Sequence, residues 1–191
     1  MRISLISVIW LLGTLAGCAG ESSVKPVEVL DERTGVTLAA LKEPLELLPS
    51  TQNSALIARK RLSFAYLGPV EWNRSGTISY GLWIHIAPGD DRQAGDIHAP
   101  AALALILDDG PLTLSPIEAP NLGRAAYQQV VSWGQTAYFG LTVETLRRMA
   151  ASSKLELDVR ATDGSVIDFV ASHDTRPALT QYVQDRGITG D

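Results

Sequence analysis

The sequence predicts a mainly β fold: an antiparallel β-sandwich, or a partly closed barrel, with one or two short helices. Three observations carry this. Apolar and polar residues alternate with a period of two in several short runs, the mark of strands with one face on a core. Asp-Gly pairs at Asp109-Gly110 and Asp163-Gly164 stand between such runs, where both turn positions tolerate positive φ and close a hairpin. The eight or nine runs follow one another through hairpin-like turns, whereas parallel pairing needs long helical crossovers.

Taken in order, strands are expected at Val36 to Leu41 and at Leu62 to Leu67. The stretch from Glu43 to Arg61 between them reads as a long loop with a helical turn around Asn53 to Arg59. The clearest alternation is Ile78, Tyr80, Leu82, Ile84 and Ile86 against Thr77, Ser79, Gly81, Trp83 and His85, which puts the first set on the core. Trp83 then lies on the other face, pointing outward or under a loop or helix; cover by a helix at Val143 to Ser152 accounts for it without a partner. Leu103, Leu105 and Leu107 form a hairpin with Leu112 and Leu114 across Asp109-Gly110. Tyr127 to Trp133 and Thr136 to Leu141 read as another, turning at Gly134-Gln135. Thr142 is placed to cap a helix running to about Ser152, with Val143, Leu146, Met149 and Ala150 at helical spacing. Leu155, Leu157 and Val159 alternate with Glu156, Asp158 and Arg160 and meet Val166 to Ala171 across Thr162-Asp163-Gly164. A second helix is expected from Asp174 or Thr175, because Pro177 is tolerated in a first turn, offering Leu179, Tyr182 and Val183 to the core.

Composition narrows the function. Sixteen basic residues against 21 acidic ones give a net charge of −5, which argues against a nucleic-acid binder with its concentrated basic surface. The single cysteine excludes an internal disulfide, so the fold rests on its core. Neither a Gly-x-Ser-x-Gly elbow, a Ser-x-x-Lys set nor a phosphate-binding glycine loop is present, and no catalytic residue is assigned. Asp90, Asp91, Asp96 and His98 carry the oxygen and nitrogen donors a divalent metal takes, although their spacing matches no named site and a solvated turn-rich loop accounts for the same letters. Arg59, Lys60 and Arg61 form a basic run suited to an anionic head group or phosphate, or a plain solvated edge. Trp72, Trp83 and Trp133 are the aromatic candidates for a partner or glycan surface.

Leu15-Ala16-Gly17-Cys18 follow Arg2 and an apolar run from Ile3 to Leu15, the layout of a secretory signal too short to span a bilayer at ~20 residues. These four residues resemble a bacterial lipobox. The resemblance implies removal of residues 1–17, diacylglyceryl transfer to Cys18 and acylation of the new N-terminus. Ordinary cleavage near Ala16 would instead leave Cys18 as a lone thiol in an oxidising compartment. Residues 18–27 then form a lipidated tether reaching roughly 15–20 Å, and residues 28–191 a single domain. Ala19, where an aspartate would retain a lipoprotein in the inner membrane, implies the outer membrane facing the periplasm. The stretch Asp31-Glu32-Arg33-Thr34-Gly35-Val36-Thr37, with Tyr66-Leu67-Gly68-Pro69-Val70, Asn73-Arg74-Ser75-Gly76 and Tyr80-Gly81-Leu82-Trp83, is similar to uncharacterised proteobacterial envelope lipoproteins over residues 28–86, and brings no activity with it. The expectation is a lipid-anchored binding or accessory module with an envelope protein partner, no nucleic acid, and no cofactor beyond the lipid on Cys18. The alternatives are a metal-dependent hydrolase using the Asp90 to His98 loop, and a periplasmic carrier of lipid or small ligands.

Overall fold

Two eleven-residue strands, β4 (Phe64–Arg74) and β5 (Thr77–Ala87), form the spine of the protein. The computed structural model describes residues 26–50, 64–87, 103–160 and 166–188. Ser75 at φ 51° and Gly76 at φ 90° make the two-residue turn between these strands, and the Asn73 side-chain oxygen accepts from the Gly76 N–H at 2.9 Å. Positive φ at both turn positions matches the right-handed twist of the flanking strands. On its outer edge β5 pairs with β8 (Gln135–Leu141).

The other edge of β4 forks. Its C-terminal half, Val70 to Arg74, pairs with β2 (Val36–Ala40), which pairs with β1 (Val27–Asp31). Its N-terminal half, Ala65 to Leu67, pairs with β3 (Leu45–Pro49). From β3 the sheet continues through β10 (Val166–Ala171), β9 (Glu156–Arg160), β6 (Leu103–Leu107) and β7 (Gly110–Leu114). Among the described residues every pairing is antiparallel, and the ten described strands form one curled sheet. Of the two expected forms it is the partly closed barrel. Beyond β7 the chain bends back to bridge Pro116 with Phe139 of β8, with Ile117 N–H donating to the Tyr138 carbonyl at 2.9 Å.

The inward faces meet in one core. Leu67, Leu82, Leu105, Phe139, Leu157 and Phe169 are all fully buried there. Helices α1 (Val143–Ala151) and α2 (Arg176–Asp185) pack on each other and add Leu146, Met149, Leu179 and Tyr182 to the same cluster. Thr142 caps α1 as its sequence position predicts, its hydroxyl accepting from the Thr145 N–H at 3.1 Å. At α2 the Thr175 side chain makes no cap bond, and the Asp174 carboxylate accepts from the Arg176 N–H instead. The Asp109-Gly110 hairpin forms, and its turn docks on the end of α1 through Arg148 and Asp109, 2.7 Å apart. None of the described helices is long and apolar enough to cross a membrane.

Several expectations are corrected. Val27–Asp31 and Leu45–Pro49 are strands, though the second lies in a stretch read as loop. The helical turn expected at Asn53 to Arg59 and the turn Thr162-Asp163-Gly164 lie outside the described residues. β4 does not stop at Leu67 but runs through Gly68-Pro69, which punctuate a sequence without breaking this strand. Tyr127 to Trp133 is not a strand and forms no hairpin at Gly134-Gln135: the segment 115–134 is a strap that lies over the outer face of β4, β5 and β8. The strap buries the second face of β5, so Trp83 and His85 are 1% and 0% exposed where alternation predicted one core face only. Ile78, assigned to the core, is 48% exposed near the hairpin tip.

Pro69 survives mid-strand because of the fork. A strand residue points its N and its C=O to the same edge, and at Pro69 that edge is the gap between β2 and β3, so no ladder donor is lost. Tyr127 from the strap fills the gap: its buried hydroxyl accepts from the Leu41 N–H at 3.0 Å and donates to the Pro69 carbonyl at 2.9 Å. Gly68 makes room for it, since a Cβ there would stand 2.3 Å from the Tyr127 ring. A second clasp sits after α2. Arg186 holds the buried Glu71 carboxylate through two bonds, of 2.6 and 3.1 Å, and also pairs with Glu28 of β1.

Tyr127→Phe strands a buried N–H and a buried carbonyl, and is expected to lower the unfolding free energy by about 2–4 kcal/mol, seen as a lower urea midpoint at unchanged slope. Arg186→Met leaves the Glu71 charge buried alone and should cost about 3–5 kcal/mol, with Glu71→Gln added to it restoring part of the loss. Equal midpoints for the single and the double variant would show that the ion pair is not what holds α2 to the sheet.

Candidate binding groove

The strap is fastened first at the β1–β2 turn. The Asp31 carboxylate accepts from the Gly123 N–H at 2.8 Å, the Thr34 hydroxyl at 3.0 Å and the Arg33 N–H at 3.1 Å. Those bonds hold the Asp31 carboxyl below its ordinary range, the Gly123 N–H contributing most. Arg33 extends the clasp, its guanidinium donating to the Asn121 backbone carbonyl at 2.7 Å and to its side-chain oxygen at 3.2 Å. Gly35, at φ 67°, closes the turn in a conformation that favours glycine. The segment Asp31 to Gly35 thus turns the chain between two strands and grips a segment about 90 positions away.

Further along, the strap covers an aromatic layer. Trp83 stacks on His85 with centroids 5.7 Å apart and planes 13° from parallel, and tilts against Tyr127 at 4.9 Å. His85 Nδ1 lies 2.9 Å from the Thr136 hydroxyl, and its buried Nε2 has no hydrogen-bond partner among the described residues. Gly134 closes over that ring, a Cβ there meeting Nε2 at 2.4 Å. Burial pushes the His85 pKa down, and the nearby Val131 carbonyl offsets part of this. Trp83 is therefore covered by a loop, one of its expected placements, and its cover is the strap rather than α1.

Between the clasp and the tip of the β4–β5 hairpin the strap stands off the sheet, leaving an open groove of about 520 Å³. Val36 and Trp72 form its floor, Arg74, Thr77 and Ser79 one wall, and strap residues 118–121 the other. The Trp72 ring lies over Gly81, where a Cβ would come within 2.4 Å, and leans on Tyr138 with centroids 5.8 Å apart. Only 4% of Trp72 remains exposed. Arg74 and Glu118 are both exposed, and neither has an ion-pair partner among the described residues. The size falls within the usual range of small-ligand sites, and the clasp fixes one wall in advance.

Of the residues singled out in the sequence, Trp72, Trp83 and Trp133 fall within the described part: Trp72 lines the groove, Trp83 is buried under the strap, and Trp133 is exposed. Cys18, Arg59, Lys60, Arg61, Asp90, Asp91, Asp96 and His98 lie outside it. Among the described residues no group of three His, Cys, Asp or Glu is placed to hold a metal. Glu156, Asp158 and Asp168 gather on the outer face of β9 and β10, where burial first, and then the Asp168 and Glu156 charges, raise the Asp158 pKa. Sequence reasoning missed Arg74, Glu118 and Asn121. The one available signal was length, since twenty residues without a regular strand or helix separate β7 from β8, and such connections tend to carry function. Comparison with models of protein families, with curated proteins and with solved structures finds no match.

Because the Asp31 carboxyl is held below its unfolded-state range near pH 4, its contribution is present above that pH and is lost as the pH falls through the depressed value. The strap is expected to open in acid before the sheet melts, with the Gly123 amide exchanging faster than those of β5. Asp31→Asn should speed Gly123 exchange already at neutral pH. Protection of Gly123 unchanged in that variant would refute the clasp.

Proposed function

We propose that this chain is a lipoprotein of the cell envelope, anchored through Cys18 and facing the periplasm from the outer membrane, whose half-barrel serves as a binding or accessory module for an envelope partner. The groove under the strap carries the module reading: one wall is held by the Asp31 and Arg33 clasp, and its two opposite charges lack ion-pair partners among the described residues. The anchor rests on Leu15-Ala16-Gly17-Cys18 after the apolar run, with Cys18 nine positions before the start of β1 at Val27. Acyl chains at roughly 0.8 kcal/mol per buried methylene would make release from the bilayer negligible. A tether of that length would keep the groove within about 20 Å of the membrane surface plus the width of the domain, which suits a partner held in the same envelope. The lipid is the only attached group this reading requires.

The test is metabolic labelling with a fatty acid, followed by detergent phase separation. The wild type should carry label on a mature N-terminus at Cys18 and enter the detergent phase. Cys18→Ala should lose all label and either accumulate as precursor or move to the aqueous phase. A labelled, detergent-phase Cys18→Ala protein would overturn the anchor.

A further inference from the structure

We infer that the groove binds a short peptide by its free C-terminal carboxylate, with Arg74 taking the carboxylate and Glu118 facing the amino or amide groups of the same chain. This rests on the module reading above and names its ligand. A guanidinium presents paired donors in the plane that a carboxylate fits, and Arg74 is exposed on the hairpin wall with no such partner among the described residues. Glu118 lines the opposite wall, also unpaired, so the groove offers both signs of charge to one occupant. Thr77 and Ser79 add hydroxyls that serve as donor or acceptor, suited to a peptide backbone. Arg33 occupies both oxygens of Asn121, which leaves the amide N–H groups of that side chain as donors to the groove.

Other ligand classes fit less well. A sugar stacks on an exposed aromatic face, and Trp72, the one aromatic among the described groove residues, is 4% exposed and turned onto Gly81 and Tyr138. A phosphate would bring nearly two negative charges towards Glu118 with one guanidinium to balance them. A metal ion would find a single carboxylate there among the described residues. A zwitterionic peptide matches the charges as they stand, and its apolar side chains have the part-exposed Ala119 and Pro120 to lie against.

The experiment follows the Arg74 Nε and Trp72 indole signals of the full-length protein in detergent micelles by NMR during peptide titration. The probes are Ala-Leu-Ala with free ends, its C-terminal amide, and the amidated, acetylated Ala-Glu-Ala, which carries only a side-chain carboxylate. Ala-Leu-Ala is expected to move both signals with a dissociation constant on the order of 0.1–1 mM. The amide, and Arg74→Gln titrated with the free peptide through its Trp72 signal, should bind at least tenfold more weakly, and Glu118→Gln several-fold more weakly. Both substitutions are exposed, and unchanged melting curves will show that neither disturbs the fold. Equal binding of the amide, or binding of the side-chain probe alone, overturns the terminal-carboxylate assignment while leaving a binding module. Silence of both signals at 10 mM of every peptide overturns it outright, whether or not Cys18 proves to be lipidated.

Discussion

One phenol hydroxyl stands where the sheet divides, and much of the architecture depends on it. At Gly68-Pro69 the neighbours of β4 change from β3 to β2, and a backbone donor and acceptor would face each other across a dry gap. Buried polar groups without partners are costly, so a fork in a buried sheet needs a plug that both accepts and donates. Tyr127 does both, and its ring needs a glycine beneath it, which Gly68 supplies. The fork in turn lets two wings diverge from one spine strand, so the sheet curls far enough to enclose a core without closing as a regular barrel.

Because the plug comes from the strap, the strap is not an appendage. Its contacts run from the Pro116 bridge on β8, through Asn121 and Gly123 at the β1–β2 turn, to Tyr127 at the fork and Gly134 over His85. Between the first and the second of these the groove opens between the strap and the β4–β5 hairpin. The binding surface is thus a by-product of how the fork is sealed. The inner face has its own fastening: Glu71, buried on β4, takes its countercharge from Arg186 beyond α2, tying the C-terminal helix to the spine and, through Glu28, to the edge strand β1. A carboxylate buried in that position is tolerable only while the guanidinium stays with it.

The antiparallel β class, the two helices, the Thr142 cap and the hairpin at Asp109-Gly110 were legible because each depends on neighbours a few residues apart: a period, a cap, a turn pair. Leu103, Leu105 and Leu107 announce their strand without reference to anything distant. Pro69 within a strand, the strap in place of a hairpin at Tyr127 to Trp133, and the burial of both faces of β5 were not legible. Each depends on what a residue meets more than 40 positions away, as Tyr127 meets Trp83 and Pro69 and Gly123 meets Asp31. The same division runs through the function. The sequence alone determined the strand pattern, the absence of an internal disulfide and the N-terminal segment that resembles a lipobox, all local or compositional properties. Only the tertiary structure decided that the sheet curls and forks, that Trp83 is covered, and that Arg74 and Glu118 face one groove, because long-range pairing, not local preference, sets which surfaces are sealed and which stay open.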